Sequence, residues 1–376
     1  MSGPAAGTAS AATTTDAVCL GESMVTFLPS RPGRLADVPS FGRGIGGAES
    51  NVACALAAAG HRAAWVGRVG ADGFGDHLVE TIAGYGVDTS AVRRDPVRPT
   101  GIYFRTATDR GTDAHEVAYY RAGSAASAMS PDSVPYEDLF AGRVLHLSGI
   151  TAALSADCLA LLRDLTAPRA DRPLVSFDVN HRPHLWRGGT ADASVLLELA
   201  RRADLVFVGE DEAEEAWGIV GAGAIRAALP EPSVVVVKRG SAGATVFSGH
   251  RPGLRSSNAG GAENSGGAES AVGEGGDTVT VVPALRVDVV AAVGAGDAFA
   301  AGFLSATLRG LPVRDRVRHG HLMAAAVLTV PGDLTDPPAR DHADRLAALD
   351  DEAWGRLRLG PGWTAADRAP EEVRTP

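Results

Sequence analysis

Short apolar runs alternate along this chain with Ala- and Leu-rich stretches of helical periodicity. The apolar runs are Val18–Leu20, Ala64–Val69, Val144–Leu147, Leu174–Val179, Leu205–Val208 and Val234–Lys238, and the helical stretches include Ala48–Ala59, Asp157–Leu165, Ala193–Arg201 and Asp211–Trp217. Repetition of strand, helix and strand predicts an α/β fold with a mostly parallel sheet and helices on both faces. With 376 residues, 45% of them hydrophobic, the chain can bury the core of one large α/β domain or two ordinary ones.

Two regions interrupt this alternation. Residues 27–47 and 100–121 are richer in aromatic residues, Gly and Arg, and the second contains the runs Ile102–Arg105 and Val117–Arg121. Both are typical of β-ribbon and predict a small sheet that covers the carboxyl edge of the main sheet, where ligands bind in open α/β folds. An ordinary edge hairpin is the alternative.

Composition sets the expected boundaries. Residues 1–15 are rich in Ala, Thr and Gly and lack the basic start of a signal peptide, so we expect a disordered leader. The main domain is expected at 16–350, with a disordered insertion at about 250–278 and a C-terminal tail at 351–376.

Charge and cysteine content narrow the function classes. The net charge of −10 argues against nucleic acid as a partner, because phosphate backbones attract basic surfaces. No apolar run is long enough to predict a membrane span. Cys19, Cys54 and Cys158 show no ligand-like spacing, which argues against a disulfide framework or a zinc site and fits a reducing cytoplasm.

The sequence Gly294–Ala295–Gly296–Asp297 carries the strongest chemical signal. It follows a β-type run, Val287–Val290, and opens an apolar helix. Backbone N–H groups at such a helix start can bind a transferring phosphoryl group, and Asp297 beside them can accept a proton from an attacking hydroxyl. The alternative is a structural turn whose Asp stabilises the helix dipole.

Several motifs together resemble a known family. Gly294–Leu304 resembles the second signature of the PfkB carbohydrate kinases, Gly46–Ala53 resembles the first, and Arg68–Gly75 resembles the family's RVGxDxFG. The similarity continues through Ser148–Ile150, Asp178–Asn180 and Lys238–Gly240, and covers roughly residues 16 to 340.

The resemblance implies a ribokinase-like, three-layer α/β/α fold with a doubly wound, mostly parallel sheet and a small β-sheet lid. It also implies ATP and Mg²⁺ as cofactors, a sugar-like acceptor and a homo-oligomer, a dimer or larger. By resemblance, Asp297 is the base, Gly294, Ala295 and Gly296 form the anion hole, Lys238, Gly240, Gly243 and His321 bind the nucleotide, and Glu212 holds magnesium through water. Gly209 stands where the family often has Asn, and Ala291 replaces an Asp that helps to hold potassium in many members, so no potassium requirement is expected.

Four features resemble the 2-keto-3-deoxygluconate kinases within this family. They are Gly46–Glu49, Tyr103–Phe104, Tyr119–Arg121 followed by Ser124–Ser127, and Asp178 to Arg182 with Leu185–Trp186. A sugar acid carries a carboxylate, which arginine matches with two parallel hydrogen bonds. We therefore expect the substrate-binding residues to be Gly47, Asn51, Tyr103, Tyr119, Arg121, Asp178 and Arg182.

Other readings remain open. The acceptor could be fructose or another keto-deoxy acid, or the chain could be a catalytically silent binding protein on the same fold. Gly42–Gly47 formally matches the GxGxxG of dehydrogenases, but no clear buried strand precedes it. The pairs His181/His184 and His319/His321 have ligand-like spacing but no supporting Cys or acid cluster, so solvated histidines are the simpler interpretation.

Overall fold

A computed structural model describes residues 15–31, 33–106, 116–186, 192–249, 271–272 and 276–365. Its strands are β1 (Thr15–Leu20), β2 (Met24–Pro29), β3 (Phe41–Gly46), β4 (Ala63–Val66), β5 (Arg68–Gly70), β6 (Arg93–Asp95), β7 (Ile102–Arg105), β8 (Val117–Tyr120), β9 (Gly142–Ser148), β10 (Leu174–Asp178), β11 (Leu205–Gly209), β12 (Val234–Lys238), β13 (Ala244–Ser248), β14 (Ala271–Val272), β15 (Thr278–Val282), β16 (Arg286–Val287) and β17 (Arg358–Leu359).

The α-helices of the same residues are α1 (Ala48–Ala58), α2 (Gly73–Gly84), α3 (Tyr136–Leu139), α4 (Gly149–Ala152), α5 (Ala156–Leu165), α6 (Pro183–Trp186), α7 (Ser194–Arg202), α8 (Glu210–Trp217), α9 (Ala222–Ala228), α10 (Ala295–Leu308), α11 (Val313–Leu328), α12 (Arg340–Ala347) and α13 (Asp351–Arg356). Short 3₁₀ turns lie at Ala126–Ala128 and Gly240–Ala242. In the ranges described, no helix is long and apolar enough to cross a membrane.

The main sheet has the strand order β14–β15–β13–β12–β11–β10–β9–β1–β4. The six strands from β12 to β4 are parallel, and the remaining three pair antiparallel at the other edge. The chain runs from β1 to β4 in one direction and from β9 to β12 in the other, so the predicted doubly wound α/β fold is confirmed. The reversal between β1 and β9 is the kind of place where α/β proteins bind ligands.

Side chains on successive sheet positions pack into two different apolar clusters. On β11, Leu205 and Phe207 join the cluster of α1, α10 and α11, whereas Val206 and Val208 join the cluster of α5 and α7. Because side chains alternate across a strand, a run that is apolar at every position fits a sheet covered on both faces. This is the physical basis of the three layers.

The predicted lid is a separate four-stranded sheet with the order β3–β2–β7–β8. Phe27 of β2 stacks on Phe104 of β7, with 4.7 Å between ring centroids. Tyr103 and Arg105 alternate with these residues and are buried. The lid strands therefore turn one aromatic face away from the main sheet and one polar face toward it.

Three local expectations need correction. Of the run expected at Val287–Val290, only Val287 is in a strand, β16, which begins one residue earlier at Arg286. Ala64–Val69 is divided between β4 and β5, and β5 pairs with β6 outside the main sheet.

The predicted tail at 351–376 also begins too early. Asp351–Arg356 is helical, and Trp354 and Trp363 are buried. Residues 1–14, 366–376 and most of the expected insertion at 250–278 lie outside the described residues, although 271–272 form β14.

Candidate active site

The turn before α10 has a backbone conformation that requires glycine. Gly294 has φ of +82°, and a Cβ added there would lie 2.6 Å from the carbonyl oxygen of Asp333. Helix α10 then begins at Ala295. The first N–H groups of a helix have no intrahelical acceptor and carry the positive end of its dipole, so Ala295, Gly296 and Asp297 present donors suited to an anion.

Asp297 is tied to the start of another helix. The side-chain amide of Asn51 in α1 donates to Oδ2 of Asp297 at 2.9 Å. The pKa of Asp297 is raised to about 7, chiefly by burial and to a lesser extent by the nearby carboxylate of Asp178, while the Asn51 hydrogen bond lowers it. A carboxylate with this pKa is a suitable general base near neutral pH.

Two cavities meet at this turn. One, which we call the lid cavity, has a volume of about 400 Å³ and lies between the polar face of the lid and the N-termini of α1 and α10. The other, which we call the groove, has a volume of about 1530 Å³ and extends from the β12–β13 turn to α11 and the C-terminal segment. The residues that line both are Glu212, Lys238, Ala292 and Gly296. A group transferred between the cavities would therefore pass the anion-binding turn.

The predicted site residues line these two cavities. The lid cavity contains Gly47, Asn51, Tyr103, Tyr119, Arg121, Asp178, Arg182, Gly294, Gly296 and Asp297, and the groove contains Ala295, Gly296, Lys238, Gly240, Gly243, His321 and Glu212. The residues predicted to bind the acceptor line the lid cavity, and those predicted to bind the nucleotide line the groove, although Lys238 and Glu212 line both. The individual roles remain predictions.

A lysine bridges the cavities. The ammonium of Lys238 donates to both carboxylate oxygens of Asp178, at 3.0 and 3.1 Å. Burial opposes the charged form of Lys238, but the attraction of Asp178 and then of Glu212 outweighs it and raises its pKa. Lys238 therefore stays cationic at the junction, where negative charge would be transferred.

The two arginines predicted to bind a carboxylate differ in their surroundings. The side chain of Arg121 is 10% exposed and forms an ion pair with Glu22, whose Oε1 also accepts from the hydroxyl of Ser124 at 2.7 Å. Its Nε has no hydrogen-bond partner among the described residues. Arg182 is 45% exposed, and its Nη1 lies 3.6 Å from Oε1 of Glu212. Arg121 thus retains a donor for a ligand, whereas Nη1 of the exposed Arg182 also donates to the carbonyl of His181 at 2.9 Å.

Sequence reasoning missed a second buried ion pair in the lid cavity. Arg105 of β7 pairs with Asp333, and the hydroxyl of Tyr103 donates to the same carboxylate at 3.2 Å. The period-two pattern of Ile102–Arg105 could have shown that Tyr103 and Arg105 share a face. Nothing in the sequence pointed to Asp333, which follows α11 and reaches the cavity only through tertiary packing.

Glu22 and Asn180 were missed as well. Both line the lid cavity, and Asn180 has a positive φ of 42°. They follow the carboxyl ends of β1 and β10 closely, which is the signal that could have identified them.

Glu49 lies beneath the lid cavity and is fully buried. The hydroxyls of Ser148 and Thr151 each donate to its Oε1 at 2.8 Å. Burial raises the pKa of Glu49 to about 7, although both hydrogen bonds lower it. Glu49 therefore connects the start of α1 to the end of β9.

The residues present fit a magnesium ion held through water. Oε2 of Glu212 accepts from the backbone N–H of Gly209 at 2.7 Å, and its side chain faces both cavities. Within the described ranges, no cluster of three or more His, Cys, Asp or Glu residues could hold a metal directly. Mg²⁺ usually keeps several waters and binds one or two carboxylates together with substrate phosphates.

The fold, the lid and the two cavities on either side of an anion-binding turn define the ribokinase-like class of α/β proteins. A family model described as "pfkB family carbohydrate kinase" matches residues 14–340, and the chain belongs to this family.

Curated relatives and solved structures agree with that assignment. The chain is 33% identical to a 2-dehydro-3-deoxygluconokinase of Bacillus subtilis, over 87% of this chain and 93% of the relative. It is 30% identical to the enzyme of the same name from Thermoproteus tenax, over 88% and 93%. A probable chloroplastic fructokinase of Arabidopsis thaliana is 27% identical over 82% of this chain and 75% of the relative. The crystal structure of a PfkB protein from Polaromonas is 32% identical, with a TM-score of 0.71 over 88% of this chain and 99% of that one.

Proposed function

We propose that this carbohydrate kinase transfers the γ-phosphoryl group of ATP to the terminal hydroxyl of 2-dehydro-3-deoxy-D-gluconate, with Asp297 as the base. The observation that carries the proposal is the position of Asp297 beside the anion-binding turn where the lid cavity meets the groove. An acceptor hydroxyl in the lid cavity would face a phosphoryl group that enters from the groove. Such an in-line arrangement is what phosphoryl transfer requires.

Asp297 takes the proton of the hydroxyl as the oxygen attacks phosphorus. The Asn51 amide fixes the rotamer of the carboxylate, so that one oxygen remains directed to the acceptor. The N–H groups at the start of α10 and the ammonium of Lys238 stabilise the negative charge of the transferring group. Gly296 lacks a side chain between them: a Cβ there would meet only Nζ of Lys238, at 3.7 Å.

Magnesium, when bound to the nucleotide phosphates, would neutralise part of their charge, and Glu212 would orient its waters. The residues of the lid position the acceptor and exclude water from the transfer.

The arginines of the lid cavity support an acidic acceptor. Arg121 has a buried, unpartnered Nε, and the exposed Arg182 lines the same cavity, where its Nη1 lies 3.6 Å from Glu212. A buried guanidinium donor without a partner is costly, and a carboxylate ligand would satisfy it. The two curated 2-dehydro-3-deoxygluconokinase relatives support the same substrate class.

A neutral sugar such as fructose is the second candidate. Arg121 and Arg105 each have a carboxylate partner in the cavity, namely Glu22 and Asp333, so part of their charge is already balanced. Sugar hydroxyls could use these carboxylates as acceptors. The fructokinase relative supports this alternative.

The first test is ADP release with Mg-ATP across 2-keto-3-deoxygluconate, 2-keto-3-deoxygalactonate, fructose and ribose. We expect the highest kcat/KM with 2-keto-3-deoxygluconate. In the Arg121→Met variant we expect the KM for the sugar acid to rise and residual turnover of neutral sugars to be kept. A preference of the wild type for fructose would replace the acid with a neutral acceptor and leave the role of Asp297 intact.

The second test is Asp297→Asn, which should lower kcat by about a hundredfold or more with ATP affinity retained, because general base catalysis contributes at least that much. Asp341→Asn is the matched control, since Asp341 is also in the first turn of a helix but is exposed and outside both cavities. Near-normal turnover of Asp297→Asn would reduce Asp297 to a residue that stabilises the helix dipole.

A further inference from the structure

The C-terminal segment forms part of the groove, although it lies beyond the region that the family model matches. The match ends at residue 340, but Gly355 of α13 and Arg358 of β17 line the groove. Strand β17 pairs parallel with β16, and the backbone N–H of Asp288 extends the pairing by donating to the carbonyl of Leu359 at 2.9 Å. The segment is therefore attached to the loop that leads into the anion-binding turn.

The same loop is also hydrogen-bonded to helix α11, which forms another part of the groove wall. The N–H of Val290 donates to the carbonyl of Leu328, at the end of α11, at 2.7 Å. Val289, with 47% of its surface exposed, is a large apolar residue left open to the groove. Val287, Ala324 and Leu328 line the same groove, and we call these four residues the apolar wall. The groove also contains the charged residues Lys238 and Glu212. An apolar wall of this kind suits the flat face of a nucleobase.

Two arginines are neighbours on the pair of strands that contributes Val287 to the apolar wall. Arg286 and Arg358 are direct partners in the β16–β17 pairing, and both line the groove. Like charges at directly paired positions repel each other. Asp288 balances one of them: its Oδ1 accepts from Nη2 of Arg358 at 2.7 Å and from Nε at 3.2 Å. Among the described residues, Arg286 has no ion-pair partner.

We propose that Arg358, held by Asp288, binds the base end of the nucleotide, so that the C-terminal segment is part of the donor site. This inference rests on one part of the proposed function, namely that ATP binds in the groove, and it does not depend on the identity of the acceptor. A guanidinium can stack on a purine ring and donate to its ring nitrogens, and it remains charged at all relevant pH values. Arg358 lies beside the apolar wall rather than at the anion-binding turn, so it should affect nucleotide binding and not the transfer step.

The matched control is on the same segment. The side chains of Arg356 and Arg358 are both exposed, at 60% and 72%, and each pairs with an acid, but Arg356 pairs with Glu352 in α13 and does not line the groove. Arg358→Ala should weaken ATP binding about five- to tenfold, the usual effect of losing one charged hydrogen bond or stacking contact. Arg356→Ala should leave ATP binding within about twofold and keep the kcat and acceptor KM of the wild type.

The experiment is calorimetric titration of the full chain and both variants with ATP, and separately with inorganic tripolyphosphate, which has no base. The proposal expects Arg358→Ala to weaken ATP binding and to leave tripolyphosphate binding unchanged. Equal weakening of both would place Arg358 at the phosphates and overturn the assignment to the base. Unchanged ATP binding would overturn the inference alone, whereas a wild type that binds ATP but phosphorylates no acceptor would contradict only the proposed function. A wild type that binds no ATP would overturn both.

Discussion

Replacing Gly294 with alanine tests how the anion-binding turn is built. At φ of +82°, an L-residue costs about 1–2 kcal/mol, and the new Cβ would lie 2.6 Å from the Asp333 carbonyl oxygen. Relief of that clash requires a shift of backbone, and overpacking of this type costs about 1–3 kcal/mol more. We therefore expect Gly294→Ala to lower the free energy of unfolding by about 2–5 kcal/mol and to reduce kcat strongly, because the N–H donors of α10 are displaced.

Two other glycines separate these effects. Gly310 has φ of +73° and nothing within 4 Å of an added Cβ, so Gly310→Ala reports the backbone strain without the clash. Gly296 is helical, and its Cβ would be 3.7 Å from the ammonium of Lys238, so Gly296→Ala should reduce turnover without loss of stability. The assays are denaturant unfolding and coupled ADP release. If Gly294→Ala costs no more stability than Gly310→Ala, the close approach to Asp333 does not constrain the turn and the reasoning fails.

Three further predictions concern pH, salt and a buried acid. Because the pKa of Asp297 is raised to about 7 and the base must be ionised, kcat/KM should fall as pH decreases through about 7, and a profile flat from pH 8 to 5.5 would exclude this ionisation. Replacing sodium with potassium should leave turnover unchanged, since Ala291 stands in place of the potassium-associated Asp; a several-fold activation would contradict this. Glu49 ionises near its usual pKa of 4.5 when unfolded but near 7 when folded, so it costs stability as pH rises between these values, by about 3 kcal/mol in total. Denaturant unfolding should therefore show that Glu49→Gln stabilises the protein at pH 8 and changes little at pH 4.5; equal effects at both pH values would refute the raised pKa.

The glycine turn and helix start at Gly294–Asp297 could be predicted because their features are local. A glycine that needs positive φ, a helix start and an Asp in the first turn are consecutive in sequence. The same is true of the apolar strands of the main sheet, since burial on both faces leaves a continuous apolar run that is visible without any partner. Tyr103 and Tyr119 were identified because they lie in short aromatic runs with a distinctive context.

The environment of each charge could not be predicted in this way. The sequence predicted that Arg121 binds a substrate carboxylate. The fold brings Glu22, nearly a hundred positions away in sequence, into contact with it. The pairing of Arg105 with Asp333 joins the lid to the loop after α11 across a still longer separation. Such pairs depend on which loops meet at the carboxyl edge of the sheet. The type of a residue does not indicate which distant loop will lie next to it.

The sequence by itself determined the α/β class, the lid and the glycine turn that places Asp297 at a helix start, because periodicity and glycine conformation act over a few residues. Tertiary structure alone decided that the residues predicted to bind acceptor and nucleotide divide between two cavities that share Lys238 and Glu212. It also decided that residues after 350 pack against the groove: β17 is only two residues long and has no strand signal of its own, so it forms because β16 and buried Trp354 provide its partners.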